Sequence, residues 1–207
     1  MNDKKSKNLI IFGNRQLAEI AHFYFTRDSD YKVVGFLVDD AYRNGDNFCG
    51  LPVYYDGDFT PEEVEVFVAI SDNYIRAVKC EEFKTKDFAL ASYISTKCVN
   101  WSSCIGEHCF VLENNVLQPF TKIGNNNILW SSNHIGHHSV IHDHVFITSH
   151  VVVCGNCEIG SYSFVGVNSS IRDGVKIAER SFVCMDTMVH KNTQPGKKYL
   201  GVPCKEM

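Results

Sequence analysis

The chain has 207 residues, 44% of them apolar, with 24 acidic against 20 basic side chains and a formal net charge of −4. That length buries a true core in one large domain or two small ones, and the scattered Lys and Arg residues give no basic surface for nucleic acid or anionic lipid. No apolar run approaches the ~18 residues of a membrane span, and "MNDKKSKNLIIFGN" lacks the apolar core and cleavage site of a secretory leader, so a cytoplasmic chain with its nine cysteines reduced is expected.

In chain order, "KNLIIFGNRQLAEIAHFYF" reads as a buried strand, a tight turn at Gly13 and a helix presenting Leu17, Ile20, Ala21 and Tyr24 on one face. "YKVVGFLVDD" is a second strand, ending in Asp39 and Asp40. A segment with helical bias over Pro61 to Glu63 follows, then the apolar run Val64 to Ile70 as another parallel strand, then a helix from Asn73 to Phe83. "FALASYIS" supplies a last apolar strand. Strands alternating with helices predict a small α/β domain, taken here as residues 1–98.

From Ile105 to Val189, every sixth residue is Ile, Leu or Val, fifteen in all. If such residues filled about a quarter of positions at random, that phase would arise roughly once in a billion sequences. A six-residue period is the mark of a parallel β-helix, in which each hexapeptide gives one short strand and one turn and three complete a coil. The fourth residue after each aliphatic, from Ser139 to Thr193, is small or β-branched, as a narrow interior requires. An all-β domain is therefore predicted over 99–194, with no long loop inserted. The tail 195–207, carrying Pro195, Gly196, Gly201 and Pro203, must then leave the coil.

"NHIGHHSVIHDHVFITSH", residues 133–150, holds six of the nine histidines. An imidazole has an unperturbed pKa of about 6.5 and suits the role of proton acceptor. His134 precedes the inward Ile135, while His142 and His190 follow inward residues, so these three project from flat faces; His150 sits at a turn. "CGNC" is a lone C-x-x-C in which Cys157 takes the small inward position and belongs to the core. The Gly155-Asn156 turn is read as stacking about one coil above Pro119 and one below Asp173.

The repeats resemble the left-handed β-helix acyltransferases, and "GVPCKEM" is similar to that family's G-x-P-A-[KR] closing motif, with Cys204 for Ala. "IIFGNRQLAE" and "VVGFLVDD" are similar to the small Rossmann-like nucleotide-sugar-binding domain of the subgroup that acetylates bacterial amino sugars: the bacillosamine-pathway, sialic-acid, perosamine and viosamine acetyltransferases. The resemblance implies a homotrimer that moves acetyl from acetyl-CoA to the amino group, at C4, of a nucleoside-diphosphate-linked amino-deoxy sugar in lipopolysaccharide, O-antigen or other glycan synthesis. It places the general base at His137, with His138 the competing candidate at a position where relatives often carry an acidic residue. Asp143 is an alternative orienting group, and His138 an alternative substrate contact.

The same resemblance implies the Gly155 N–H as oxyanion donor. For acetyl-CoA it implies Gly155, Gly166, Val167, Gly201, Val202 and Pro203, with Lys197, Lys198 and Lys205 toward the phosphates. For the nucleotide sugar it implies Gly13, Asn14, Arg15, Asp39 and Asp40. "GNRQLA" departs from the family's Gly-rich G-x-x-G-x-[GA] turn and speaks against a redox dinucleotide. No metal is expected. Three readings stay open beside this one: O-acetylation of a sialic-acid type sugar, a zinc hydratase using His137 and His142 as in left-handed β-helix carbonic anhydrases, and an idle scaffold.

Overall fold

The computed structural model describes residues 7–42, 44–55 and 57–207, so the charged start at 1–6 lies outside the described residues. The chain divides into two compact units, residues 1–93 and 94–207.

The first unit contains β1 (Lys7–Phe12), α1 (Gln16–Arg27), β2 (Tyr31–Leu37), β3 (Asn47–Phe48), β4 (Leu51–Tyr54), β5 (Glu65–Val68) and α2 (Asn73–Thr85). Its sheet runs β3-β4-β2-β1-β5, parallel except for the edge strand β3. Successive side chains of a strand point to opposite faces. One face of β1 and β5 packs on α1, where Phe25 meets Phe67 at 5.1 Å between ring centroids. The other face, with Ile10, Phe12, Val66 and Val68, packs on Cys80 and Phe83 of α2.

Four details differ from the sequence reading. The buried stripe of α1 is Ala18, Ala21 and Phe25, with Leu17, Ile20 and Tyr24 only half-buried. The small Ala18 lies beneath the Gly13 turn, and so α1 sits rotated from the expected face. Pro61–Glu63 is a turn rather than helix, held by the Glu63 carboxylate accepting from the Thr60 N–H at 2.7 Å. "FALASYIS" forms strand only at Tyr93–Ile94, with Leu90 making a single bridge to Val66. The β3-β4 hairpin was not anticipated; Cys49 (φ 50°) and Gly50 (φ 79°) both take the left-handed conformation of a tight two-residue turn.

The second unit winds into a three-sided parallel β-helix. Its first face runs through His134–Ile135 and Val152–Val153, its second through Val140–Ile141 and Glu158–Ile159, and its third through Phe146–Ile147 and Phe164–Val165. Of the fifteen periodic aliphatics, only Ile105 in the first coil is not buried. The small partner positions from Ser139 to Thr193 are also buried. In the early coils Asn115, Asn127 and Asn133 take these positions; Asn115 Nδ2 donates to the Trp130 carbonyl at 2.8 Å, and Asn133 Oδ1 accepts from the Val151 N–H at 2.8 Å. Asn127 Oδ1 likewise accepts from the Val145 N–H at 2.7 Å, while its Nδ2 is buried with no hydrogen-bond partner among the described residues, an exception to the pairing of buried polar groups. Every sixth residue from His108 to Asn168 holds a left-handed φ of 53–68°, one at each corner.

The tail does not leave the coil. Lys198–Leu200 pairs in parallel with Phe182–Val183, and Lys205–Glu206 folds back antiparallel on it. On the first face Met188 donates to the Gly201 carbonyl and accepts from the Cys204 N–H; on the second, Lys176 accepts from the Thr193 N–H at 3.1 Å. A last coil leaves N–H and C=O groups unpaired on every face, and closing them is worth more than the extension that Pro and Gly suggested.

Ile141 is fully buried at mid-column. Ile141→Ala is expected to cost about 2–5 kcal/mol of stability by cavity formation, whereas Lys122→Ala on the outer surface stays within about 0.5 kcal/mol. Urea unfolding of the two variants checks the contrast.

Candidate active site

Ile135 and Ser139 both point inward, which forces Gly136, His137 and His138 to form the corner between the first and second faces and leaves both imidazoles exposed. Three hydrogen bonds fix the corner between its neighbours: His138 N–H to Pro119 O at 3.4 Å, His137 N–H to Gln118 Oε1 at 2.9 Å, and Asn156 N–H to His137 O at 2.9 Å. The Gly155 turn is thus one coil on from His137 and two from Pro119, which corrects the stacking inferred from sequence.

Close approach explains the glycines. A Cβ on Gly136 would stand 2.6 Å from Gly155 N, and one on Gly155 would stand 2.6 Å from His137 Cε1 and 2.9 Å from His137 Nε2. The His137 ring therefore lies over Gly155. At equivalent corner positions Glu107 N–H donates to Asn125 Oδ1 at 3.0 Å and Asn125 N–H to Asp143 Oδ1 at 2.6 Å. The Gly155 N–H has no such acceptor among the described residues.

His137 Nδ1 lies 3.2 Å from His138 Nδ1, the rings standing nearly perpendicular at 83°. The other partner of His138 is Phe120, one coil earlier, at 4.7 Å between centroids; Phe120 is 61% exposed and holds φ 68°. Asp143 stands on the next corner, and its carboxylate is taken up by the Asn125 N–H, so the neighbour of His137 is an imidazole and not this acid.

The remaining histidines separate by phase. His144 and His150 share with His138 the left-handed corner position, which explains much of the histidine-rich run, since His tolerates that conformation better than most residues. His144 Nδ1 meets Asn126 Nδ2 at 2.9 Å and its ring stacks on Tyr162. His134 lies on the first face, but His142 and His190 directly follow the strands Val140–Ile141 and Met188–Val189, the position that Gly136 takes at its corner, and His190 Nδ1 is buried, so these two do not project from a flat face. His137 and His142 flank the strand Val140–Ile141, and among the described residues no group of three or more His, Cys, Asp or Glu is placed to hold a metal ion. Cys157 is buried, its thiol pKa raised by that burial.

Gly166 and Val167 occupy the corner between the third and first faces. Gly166 packs so tightly that a Cβ would meet Met185 N at 2.5 Å, and Val167 O accepts from the Asp186 N–H. Gly201 (φ 101°), Val202 and Pro203 lie in the closing tail, with Val202 72% exposed. Lys205 is exposed, Lys197 pairs with Glu206 at 3.1 Å, and Lys198 lies over the Phe182 ring. A single chain thus holds Gly155 and the Gly166-Val167 pair on different corners, with the first face between them.

In the first unit, Gly13 closes β1 with φ 121°, donates to Leu37 O at 2.8 Å and passes the Ala69 carbonyl so closely that a Cβ would stand 3.2 Å from it. Asn14 follows half-buried, and Arg15, exposed, is the N-cap of α1 without a side-chain cap bond. Asp39 accepts from Lys79 Nζ at 3.1 Å, while Asp40 opens an exposed 3₁₀ turn. Lys79 was not anticipated. It also pairs with Glu82 and lies 5.0 Å from the Phe12 ring centroid. Burial works against its charge, but hydrogen bonds to the Glu82 and Asp39 carboxylates outweigh it and hold the ammonium pKa above its ordinary value. A cavity of about 70 Å³ lined by Phe12, Leu37, Asp39, Lys79 and Phe83 adjoins the pair. The signal for Lys79 was its helical spacing to Glu82 and Phe83 on α2.

No family model matches the chain, and no curated protein sequence does. Solved structures do. The acetyltransferase domain of PglB from Neisseria gonorrhoeae FA1090 aligns with a TM-score of 0.88 at 18% identity, covering 98% of this chain and 100% of that one. A histidine-to-asparagine variant of perosamine N-acetyltransferase from Caulobacter crescentus, in complex with CoA and GDP-perosamine, aligns with a TM-score of 0.87 at 21% identity, covering 97% and 96%. WeeI from Acinetobacter baumannii AYE aligns with a TM-score of 0.72 at 17% identity, covering 98% and 100%. The chain shares their fold over 97–98% of its length.

Gly155→Ala is expected to push the His137 ring off its seat while the coil stays folded. Spectra of ¹⁵N-histidine-labelled protein should show the His137 ring resonances moved more than those of the other histidines, with the melting temperature within about 5 °C of the parent.

Proposed function

We propose that the chain is an acetyltransferase that moves acetyl from acetyl-CoA to the amino group, at C4, of a nucleoside-diphosphate-linked amino-deoxy sugar, acting as a cytoplasmic homotrimer in surface-glycan assembly. The observation that carries the reading is the exposed His137 imidazole lying over Gly155, whose N–H has no acceptor among the described residues. Acyl transfer from a thioester to an amine needs both parts: a base for the amine proton and a donor for the oxyanion. His137 Nε2 takes the proton as the C–N bond forms, the Gly155 N–H stabilises the tetrahedral oxyanion, and the proton passes to the departing thiolate as the C–S bond breaks. The reading is supported by fold-sharing structures described as sugar N-acetyltransferases, one of them solved with CoA and GDP-perosamine, and by a PglB acetyltransferase domain solved with acetyl coenzyme A.

The co-substrate contacts proposed are Gly155, Gly166, Val167, Gly201, Val202, Pro203 and Lys205. Their division between two corners of one chain supports a trimer, in which a neighbour's corner completes the groove. Exposed apolar groups on and beside the first face, Val99, Trp101, Phe120 and Val152, support the same packing, because apolar side chains left in water favour association. In the first unit, which we take to be a Rossmann-like nucleotide module, Gly13, Asn14 and Arg15 at the start of α1 face a diphosphate. Asp39 and Asp40 receive the base or ribose, with Lys79 holding Asp39 in place. The β-helix winds left-handed.

Incubation of the protein with acetyl-CoA and a panel of nucleotide-linked 4-amino sugars should release free thiol, and His137→Ala should lower the rate by about 10²–10⁴-fold. Thiol release with sialic acid alone would instead favour a hydroxyl acceptor, and none above the His137→Ala control with any acceptor would refute the assignment. Sedimentation equilibrium should give a mass three times that of the 23.4 kDa chain.

A further inference from the structure

We infer that His138 is a positioning residue that selects the reactive tautomer of His137, an inference that rests on the acetyltransferase reading above. The 3.2 Å separation of the two Nδ1 atoms is a hydrogen-bond distance, so one nitrogen carries the proton and the other the lone pair. When His137 Nδ1–H donates to His138 Nδ1, the lone pair of His137 is left on Nε2, the atom that accepts the amine proton. The reverse arrangement puts a proton on Nε2 and removes the base. His138 therefore does with a neutral ring nitrogen what a carboxylate does in a Ser-His-Asp triad, holding the imidazole in one tautomer and one orientation.

The surroundings of His138 fit this task. Its left-handed φ of 59° sets its ring beside that of His137, and Phe120 covers one face of it at 4.7 Å. An aromatic residue with positive φ is uncommon, and Phe120 keeps φ 68° while 61% exposed, with the His138 ring as its contact. From the coil before, Gln118, Pro119 and Phe120 meet the pair, and none is charged. From the coil after come Gly155 and Asn156. The carboxylate further along this corner, Asp173, accepts from Asn156 Nδ2 at 3.4 Å. On this corner the partner offered to His137 Nδ1 is an imidazole and carries no negative charge.

Substitutions at His138 separate acceptor from charge, because Asn and Asp Oδ1 occupy the place of a histidine Nδ1. Asn is also at home in this backbone, as Asn156 shows at the same corner one coil on with φ 58°. In ¹⁵N-histidine spectra of the full-length protein at pH 8, His137 should carry its proton on Nδ1, revert to the common Nε2–H form in His138→Ala, and return to Nδ1–H in His138→Asn. With the active sugar, His138→Ala should lower kcat by about 10- to 100-fold with KM within about 3-fold, and His138→Asn should recover most of the loss. His138→Asp should move the low-pH limb of kcat upward by about one unit, since a carboxylate favours the imidazolium that must lose its proton before it can act as base.

An Nε2–H His137 in the parent protein overturns the inference. So does a His138→Ala enzyme with full kcat when His137→Ala is inactive. Full turnover by His137→Ala would remove the base assignment itself, and the tautomer spectra, which need no substrate, still decide whether the two rings pair as stated.

Discussion

Burial of one aliphatic side chain per six residues governs everything else in the β-helix. A hexapeptide alone cannot take its Ile or Val out of water; the coil before and the coil after must do it. The strand is reduced to two residues, the next inward side chain must be small, and the chain has four residues in which to turn and return. A left-handed residue at every corner follows from that limit, and the sequence meets it with Asn, Ser, His, Tyr and even Phe120.

The same limit creates the site. Because positions on both sides of the corner point inward, the corner residues between them have nowhere to go but outward, and successive corners stack a coil apart. One coil supplies Gly136 and the two imidazoles, the next supplies Gly155, and the two coils meet so closely that neither glycine position has space for a Cβ. A base and a backbone donor are thus set against each other by the repeat itself, with no loop needed to hold them. Rigid placement of this kind is what an electrostatically preorganised site requires.

Much of this was legible in the sequence because the repeat is periodic and its phase assigns each side chain to the inside or the outside. Phase placed Ile135 and Ser139 inward, while His137 was singled out by the resemblance to a family and not by phase. The same phase carried a signal that went unread: His138, His144 and His150 are six apart, and so three of six clustered histidines are corner residues first. What sequence missed depends on contacts between elements that no period records. The turn of α1 about its axis was set by Ala18 fitting beneath Gly13. Lys79 came to Asp39 from a helix forty residues away. Asp143 was near His137 in number but on another corner. The tail was misread because Pro and Gly report only that a local element ends, and say nothing of the unpaired backbone waiting at the last coil.

That closing tail bears on how the molecule behaves in a crowded cell. A stack of coils is open-ended by construction, and its final rung would template the first rung of another molecule, as growing fibrils do. Here Lys205–Glu206 lies antiparallel at the end of the third face, offering a hydrogen-bonding pattern that a further parallel coil cannot match, and its two charged side chains resist docking. On the third face, Lys205–Glu206 thereby blocks the edge against the parallel pairing by which coils would otherwise add one to the next.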